Sequence, residues 1–387
     1  MKFYSFIFSV FFLSFFILGC GSSANKVNPA LIDSTVVIAP PLGNISPEDF
    51  TRFHEGVKDY YEQKLVKRGF NGGIIVAKGG RIIFEDYHGY ANFATKDTLT
   101  RHSAFHLASV SKTFTAMAIL KLAEMNKLSL NDSLQKFFPA FPYKGITVQE
   151  LLNHRSGLPN YTHFMENLGW NRKQYSSNED VLDYLIKYTP PGTGRPNTHF
   201  NYCNTNYVLL AMIIEKASNM TYADFLQEVF FTPLKMNDTY VFSMVKDSAS
   251  AMPSYDARGR IEPYTFLDLN YGDKNIYSTP SDLLKWDQAL YTNKLFSPAT
   301  FDEAFTPYSN EKPGVKNYGL GWRMNVYPDG KKVVYHNGWW HGNNTVFIRM
   351  IQDSVTIIVL GNKYNPLIYK SKDIADVFDS GLKIEDE

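Results

Sequence analysis

The spacing of apolar residues divides the sequence into three blocks. Residues 46–69 repeat apolar positions at helical spacing, and Ser46 followed by Pro47 and two acidic residues is typical of a helix start. Two runs rich in strand-forming residues follow at 73–77 and 81–87, joined by Lys-Gly-Gly. The first block is therefore predicted to be a helix followed by a β-hairpin.

The second block, about residues 125–300, is mainly helical in its pattern and contains few convincing strands. The segments that fit a helical period best are 179–188, 206–217, 222–229 and 280–291.

Strand signals return near the C-terminal end, at 332–336, 344–350 and 354–360, before an amphipathic segment at 371–382. Strands at both ends of the chain with a helical block between them predict an α+β fold. We expect one antiparallel sheet, flanked by helices from both chain ends, with the helical block as an inserted sub-domain. A cleft is expected where the sub-domain meets the sheet.

The N-terminal residues are typical of an export signal. An apolar run at 3–18 follows Lys2 and ends in small residues, and it is short for a membrane-spanning helix of about 20 residues. The sequence ILGC at 17–20 resembles a bacterial lipobox, which implies a signal peptide at 1–19 and a lipidated Cys20. An ordinary signal peptide or an uncleaved anchor are the alternatives.

Residues 20–45 are rich in Ser, Asn and Pro and are predicted to be a flexible tether, which leaves 46–387 as the folded domain. The expected location is that of an exported, membrane-anchored lipoprotein, on the periplasmic side or in the outer membrane.

Composition narrows the class of protein. The 387-residue protein is 44% hydrophobic and 20% charged, which is typical of a globular protein with a large core. The net charge is +1, and the sequence has no dense Lys/Arg block, so a nucleic-acid partner is not expected. Two cysteines, Cys20 and Cys203, are too few for a disulfide framework.

Candidate chemistry begins with Ser109 and Lys112, an S-x-x-K pair in the apolar stretch 105–128. If a helix begins near Ser109, the spacing puts hydroxyl and amine on one face, within hydrogen-bond reach. Such a pair is a nucleophile beside a possible base. The alternative is a capping serine and a solvated lysine.

Two further motifs lie where this architecture lets them converge with Ser109. Tyr202-Cys203-Asn204 follows a Pro/Gly-rich loop and precedes a predicted helix, and His336-Asn337-Gly338 ends a predicted strand. His102 and His106 are four residues apart, but they lie in the approach to Ser109 rather than on a predicted helix, so no metal site is expected there.

The order S-x-x-K, Y-x-N and a basic residue followed by x-G resembles the serine beta-lactamase and DD-peptidase superfamily. Within it, the resemblance is to the branch that class C beta-lactamases share with DD-carboxypeptidases, D-amino-acid peptidases and related esterases. It covers about residues 50–365 and includes the segments HLASVSKTFTA, ITVQELLNHRSGLPNY, FNYCNTNYVLLAMIIE, PLKMNDTY, STPSDLLKW, YGLGW and VTIIVLGN. The sequence lacks the G-x-S-x-G, H-E-x-x-H, S-D-N and K-T-G signatures of other classes.

The resemblance implies a role for each motif. Ser109 would be the nucleophile, and Lys112 and Tyr202 are the two candidate acceptors of its proton, with the choice between them open. Neither side chain is a base at neutral pH unless its surroundings change its proton affinity, so the two are expected to share one proton with Ser109. Asn204 is expected to hydrogen-bond Lys112 or an amide group of the substrate. No cofactor is implied.

The third motif is expected to bind substrate through His336, Gly338 and Trp339, whose backbone N–H would form an oxyanion hole with that of Ser109. His336 stands where class C enzymes carry Lys, and an imidazole holds a carboxylate less firmly, which disfavours an efficient beta-lactamase. Residues 339–341 are a bulky Trp-Trp-His wall that narrows the cleft or packs against the helical sub-domain.

The predicted activity is a two-step acyl transfer on an amide or ester carbonyl through an acyl-enzyme at Ser109. The expected partners are a small D-amino-acid peptide, ester or beta-lactam substrate and, through Cys20, a membrane. The alternatives are a true class C-like beta-lactamase and a penicillin- or wall-peptide-binding sensor without turnover. Cys203 replaces the more usual Ser, so activity should survive, but a thiol beside the site is open to oxidation.

Overall fold

The computed structural model describes residues 44–385 of the protein. The predicted signal peptide at 1–19, Cys20 and the tether up to residue 43 lie outside the described residues. Ile45, assigned to the tether, packs partly against the core. Among the described residues, every helix is too short or too polar to cross a bilayer.

The main helices of the described part follow one another along the sequence as α1 to α11. They are α1 (Pro47–Tyr60), α2 (Ser111–Glu124), α3 (Leu134–Phe137), α4 (Val148–Leu152), α5 (Tyr161–Asn167), α6 (Asn178–Tyr188), α7 (Asn204–Ser218), α8 (Tyr222–Leu226), α9 (Met244–Asp247), α10 (Pro280–Ala289) and α11 (Pro298–Ala304). Single π or 3₁₀ turns lie at Tyr61–Leu65, Val66–Arg68, Ala108–Val110 and Gln227–Phe231, and a 3₁₀ helix spans Pro366–Phe378.

The strands of the same region are β1 (Gly72–Lys78), β2 (Arg81–His88), β3 (Tyr90–Asn92), β4 (Asp97–Thr98), β5 (Phe105–His106), β6 (Tyr240–Val241), β7 (Ile276–Ser278), β8 (Lys316–Tyr318), β9 (Arg323–Val326), β10 (Lys332–Trp340), β11 (Asn343–Met350) and β12 (Val355–Gly361).

The main sheet joins the two ends of the chain. Its order within the described residues is β2-β1-β12-β11-β10-β9-β8, and every neighbouring pair is antiparallel. β1 pairs along its whole length with β12, with Ile75 opposite Ile358. The predicted α+β sheet built from distant parts of the chain is confirmed.

The sheet is buried on both faces, and alternate residues of each strand enter different cores. In β1, Ile74 and Val76 face α1 and the Pro366–Phe378 helix, whereas Ile75 and Ala77 face α2 and the helical block. This period-two division explains why the strands are apolar almost throughout. On the side of Ile75, α10 packs against β1 and β12. α2, whose residues are nearly all buried, lies in the same core.

The local start and stop signals of the first helix are confirmed. The Ser46 hydroxyl accepts a hydrogen bond from the Asp49 backbone N–H at 3.0 Å, and Pro47 occupies the first turn. Gly69 ends the helical segment with φ of 81°, a conformation that glycine adopts without steric cost.

Three sequence-based expectations need correction. The helical block contains β6 and β7, which form a small sheet with β5 in the order β5-β7-β6; strands of two or three residues carry no detectable period. The third motif does not end its strand, because β10 continues to Trp340. The C-terminal segment is a 3₁₀ helix that begins at Pro366, where Asn365 caps it, rather than at residue 371.

Candidate active site

Ser109 and Lys112 lie in direct contact at the start of the core helix. Ser109 belongs to the Ala108–Val110 turn, and Lys112 lies in the first turn of α2. The Lys112 side chain is completely buried, and its Nζ donates to Ser109 Oγ at 2.9 Å. The same-face geometry expected from the S-x-x-K spacing is confirmed, and the solvated-lysine alternative is wrong.

The backbone just before the nucleophile is strained. Ala108 has φ of 50°, in the left-handed region that residues with a Cβ adopt at a cost of about 1 kcal/mol or more. The Ala108 N–H donates to His106 Nδ1 at 3.0 Å, and His106 Nε2 contacts Asn275 Oδ1 at 2.9 Å. Burial lowers the pKa of His106 to about 4, so the ring is neutral and donates from Nε2. His106 therefore positions the turn through the backbone, in the approach to Ser109.

Lys112 has a second partner that the sequence motifs did not identify. Its Nζ donates to the backbone carbonyl oxygen of Asp273 at 2.7 Å. The loop that carries Asp273 leads into β7, and β7 pairs with β5, the strand just before Ala108. The small sheet therefore fixes this carbonyl beside the nucleophile. The polar run Gly-Asp-Lys-Asn at 272–275, between apolar segments, was the available signal.

Tyr202 lies beside Lys112, but its hydroxyl is not joined to Ser109. The Lys112 Nζ lies 5.1 Å from the Tyr202 ring centroid, and the Arg323 guanidinium carbon lies 4.8 Å from the same centroid. Within the described residues the Tyr202 hydroxyl is buried and has no hydrogen-bond partner. The structure thus brings Tyr202 to the site, with its hydroxyl available to a further group.

Asn204 begins α7, close to Tyr202 in sequence. Its Oδ1 is buried and has no partner among the described residues, so the expected hydrogen bond to Lys112 does not form. The reason is that Lys112 Nζ is engaged by Ser109 and by the Asp273 carbonyl. The expected contact with a substrate amide remains a prediction.

His154 packs against Tyr202 and accepts a hydrogen bond from the backbone of the second motif. It is fully buried with φ of 58°, its ring centroid lies 4.4 Å from that of Tyr202, and its Nδ1 accepts from the Cys203 backbone N–H at 3.2 Å. Burial holds the pKa of His154 well below its ordinary value. The neutral imidazole therefore holds the backbone of the second motif in place.

The third motif passes beside the nucleophile turn at Gly338. A Cβ at this position would overlap both the Leu107 carbonyl oxygen and Thr345 Oγ1. Thr345 Oγ1 donates to the same carbonyl at 2.8 Å and ties the turn to the sheet. Only a glycine permits this approach, and it brings the backbone of Trp339 next to the turn.

His336 is buried beside the site. Its side chain has no exposed surface, its Nδ1 lies 2.7 Å from the Asn337 carbonyl oxygen, and its Nε2 lies 3.3 Å from the Tyr318 hydroxyl. Burial, with the charges of Arg323 and Lys112 as further causes, holds the pKa of His336 well below its ordinary value. The imidazole is therefore neutral, and its expected contact with substrate stays a prediction.

The bulky wall is formed by Trp340, not by the side chain of Trp339. Strand alternation puts Trp339 on the face of Asn337 and Tyr335, opposite to Gly338, and 62% of its surface is exposed. Trp340 instead packs towards the helical block, where its Nε1 donates to Asp268 Oδ1 at 2.6 Å. Of the two alternatives for residues 339–341, packing against the helical sub-domain is therefore the correct one for Trp340.

Residues 44–385 contain no group of three or more His, Cys, Asp or Glu side chains positioned to hold a metal ion.

A serine in contact with a fully buried lysine, at the N-terminus of a core helix and beside a tyrosine, is the arrangement expected of a serine hydrolase. A model of the Beta-lactamase family matches residues 57–379, and the chain belongs to this family. The predicted family, fold and enzyme class, a serine hydrolase, are confirmed.

Known relatives point in the same direction. Penicillin-binding protein 4* of Bacillus subtilis (strain 168) is 38% identical over 322 residues, which cover 79% of this chain and 70% of that protein. Teichoic acid D-alanine hydrolase of Staphylococcus aureus (strain NCTC 8325 / PS 47) is 27% identical over 308 residues, covering 74% of each protein. The solved penicillin-binding protein homologue from Pyrococcus abyssi superposes with a TM-score of 0.72 and 26% identity, covering 84% of this chain and 77% of that one.

Proposed function

We propose that the protein hydrolyses D-amino-acid esters or amides through an acyl-enzyme on Ser109. The observation that carries the proposal is the 2.9 Å contact between Lys112 Nζ and Ser109 Oγ, with the lysine wholly buried. The Lys112 amine is in position to accept the Ser109 proton while it still donates to the Asp273 carbonyl.

The proposed reaction has two steps, acylation of Ser109 and hydrolysis of the acyl-enzyme. Ser109 Oγ bonds to the substrate carbonyl carbon, its proton passes to the Lys112 and Tyr202 pair, and the leaving amine or alcohol departs with that proton. Water then adds to the acyl carbon, the bond from that carbon to Ser109 Oγ breaks, Oγ takes back a proton, and the carboxylic acid product is released. The Trp339 and Ser109 backbone N–H groups are proposed to bind the developing oxyanion, because Gly338 lets the strand approach the turn so closely.

The substrate class rests on the relatives and on the third motif. A protein named teichoic acid D-alanine hydrolase shares 27% of aligned residues with this protein, which supports a D-aminoacyl substrate. His336 is buried and neutral and supplies no positive charge for a substrate carboxylate. This supports a substrate without a carboxylate at this motif, such as a D-aminoacyl ester, over a beta-lactam. The resemblance implies that a class C enzyme binds the beta-lactam carboxylate here.

A substrate panel tests the proposal. A nitrophenyl ester of D-alanine, a D-Ala-D-Ala peptide and nitrocefin are compared, with Ser109→Ala as the control that lacks the nucleophile. Turnover of the ester or the peptide at least about a hundredfold above Ser109→Ala supports the proposal. Preferential nitrocefin turnover would instead establish the beta-lactamase alternative, and one burst of product without turnover would establish the sensor.

We also propose that Cys20 is lipidated and anchors the exported domain to a membrane. The ILGC sequence at 17–20 and the apolar run before it support this. Metabolic labelling with an alkyne fatty acid should mark the wild-type protein and not Cys20→Ser. Equal labelling of both would overturn the lipid anchor.

A further inference from the structure

A buried pair of opposite charges lies next to Lys112. Lys274 is 3% exposed, and its Nζ donates to the Tyr161 hydroxyl at 2.5 Å. That hydroxyl donates to Asp273 Oδ2 at 2.9 Å, and Lys274 Nζ lies 3.6 Å from Asp273 Oδ1. The three side chains form a closed group in which each charge has a partner.

The Trp340 ring packs against this group and shields it from water. The Lys274 Nζ lies 4.8 Å from the Trp340 ring centroid, and the indole N–H is fixed by Asp268. Charges in such a dry environment act on their neighbours far more strongly than charges at the surface. The aromatic wall of the third motif therefore has an electrostatic consequence inside the site.

The charge pair is joined to the reaction centre through the backbone. Asp273, whose carbonyl oxygen accepts from Lys112 Nζ, carries the carboxylate, and the next residue carries the ammonium. The carboxylate favours a protonated base beside Ser109, and the ammonium opposes this. Burial is the main cause that lowers the pKa of Lys274, whereas the nearby carboxylates of Asp273 and Asp268 act to raise it.

Resting on the proposed function, we propose that Lys274 is a positioning residue for proton transfer from Ser109: its charge balances the Asp273 carboxylate, so that the base beside Ser109 can accept a proton near neutral pH. The same effect operates whether the base is Lys112 or Tyr202, since both lie in the same field.

Other titratable groups lie near the charge pair and Lys112, and all the variants of the test keep them unchanged. Near the pair they are Asp268 and its partner His341, His106 before the nucleophile, and Tyr161 and Tyr222, which both interact with Asp273; near Lys112 they are Tyr202, Cys203 and Tyr207.

The test is the pH dependence of Ser109 phosphonylation by a fluorophosphonate, a reaction that reports nucleophile activation without a deacylation step. It is measured on the purified wild-type protein, on Lys274→Met, on Asp273→Asn and on the double variant. We expect the acid limb of the rate profile to move up by about one pH unit in Lys274→Met and down by a similar amount in Asp273→Asn. In the double variant it should return to within a few tenths of a unit of wild type.

The proposal would be overturned if all variants react more slowly but keep the acid limb of the pH–rate profile at the wild-type pH. A merely structural role lowers the rate of phosphonylation without changing the pH at which that rate is half its maximum. Lys274→Met leaves a buried carboxylate without its partner, so it is the variant most at risk of misfolding. If Lys274→Met misfolds, the test is the comparison of Asp273→Asn with the double variant, because the acid limbs of their pH–rate profiles must differ by about one pH unit. Absence of labelling in the wild type would overturn the proposed function itself, whereas labelling with unmoved limbs overturns only the role of Lys274.

Discussion

Lys112 Nζ lies 2.9 Å from Ser109 Oγ, whereas the Tyr202 hydroxyl has no hydrogen-bond partner among the described residues. The lysine is thus already in place to accept the serine proton in the free protein. The tyrosine is placed to interact with a group that substrate brings. Apo geometry often tightens when substrate binds, so both residues are expected to act.

Lys112→Met should lower the rate of Ser109 acylation by about a thousandfold or more, because it removes the direct proton acceptor. Tyr202→Phe keeps the contact between Lys112 and Ser109 and should lower the rate of acylation less, by about a hundredfold. The measurement is kcat/KM with the nitrophenyl ester. Lys121→Met is the matched control, since Lys121 lies on the same helix but donates to the Leu295 carbonyl away from the site. A larger loss in Tyr202→Phe than in Lys112→Met would contradict this assignment.

Gly338→Ala should lower kcat/KM by about a hundredfold, because the new Cβ displaces the strand from the nucleophile turn. Thermal unfolding and circular dichroism separate this effect from misfolding. The Thr345→Ala/Gly338→Ala double variant relieves the overlap with Thr345 Oγ1 but keeps the overlap with the Leu107 carbonyl oxygen. Full recovery of activity in that double variant would show that activity does not depend on the close approach of the β10 backbone to the Leu107 carbonyl oxygen.

His106 should make the protein less stable in mild acid. Its pKa is about 4 when folded against an ordinary value of 6.5, so the unfolded chain binds a proton that the folded protein does not. The free energy of unfolding should therefore fall as pH decreases from 6.5 towards 4, by up to about 3 kcal/mol from this residue. Buried His154 and His336 act in the same direction. Urea unfolding between pH 4 and 7 measures the effect.

His106→Asn should reduce the pH slope by about one bound proton and should also slow acylation, because the Ala108 turn loses its support. His102→Asn is the control, since His102 is an exposed histidine paired with Asp238. An unchanged slope in His106→Asn would exclude His106 as a source of acid sensitivity.

Cys203 should be unreactive in the folded protein, contrary to the expectation of an oxidisable thiol. It is 1% exposed, its Sγ donates towards the Leu158 and Pro159 carbonyl oxygens, and burial raises its pKa to about 11. At pH 8 almost none of it is thiolate, the reactive form. Iodoacetamide followed by mass spectrometry of the Cys203 peptide should show alkylation only after denaturation.

Cys203→Ser should keep activity within about threefold, because a serine hydroxyl can donate to either of the same two carbonyl oxygens. Rapid alkylation of the native protein, or loss of most activity in this variant, would mean that the thiol is exposed to the site.

The sequence by itself determined much of the fold and the reaction class. Runs of strand-forming residues located the hairpin and the late strands, and the apolar stretch 105–128 located the core helix, because segments that are buried on every side stay apolar almost throughout. The S-x-x-K spacing fixed the contact between Ser109 and Lys112, since three residues span about one helical turn.

Tertiary structure alone decided the surroundings of that pair. The Asp273 carbonyl, the partnership of Tyr161 with Lys274 and the support of Ala108 by His106 depend on segments that the fold brings together, and no local period encodes such contacts. The orientation of Trp339 and the burial of His336 depended on how β10 continues past Gly338 and on which face each residue takes. The motif residues fix the nucleophile because their geometry is local, whereas the charges that tune it were set by long-range packing.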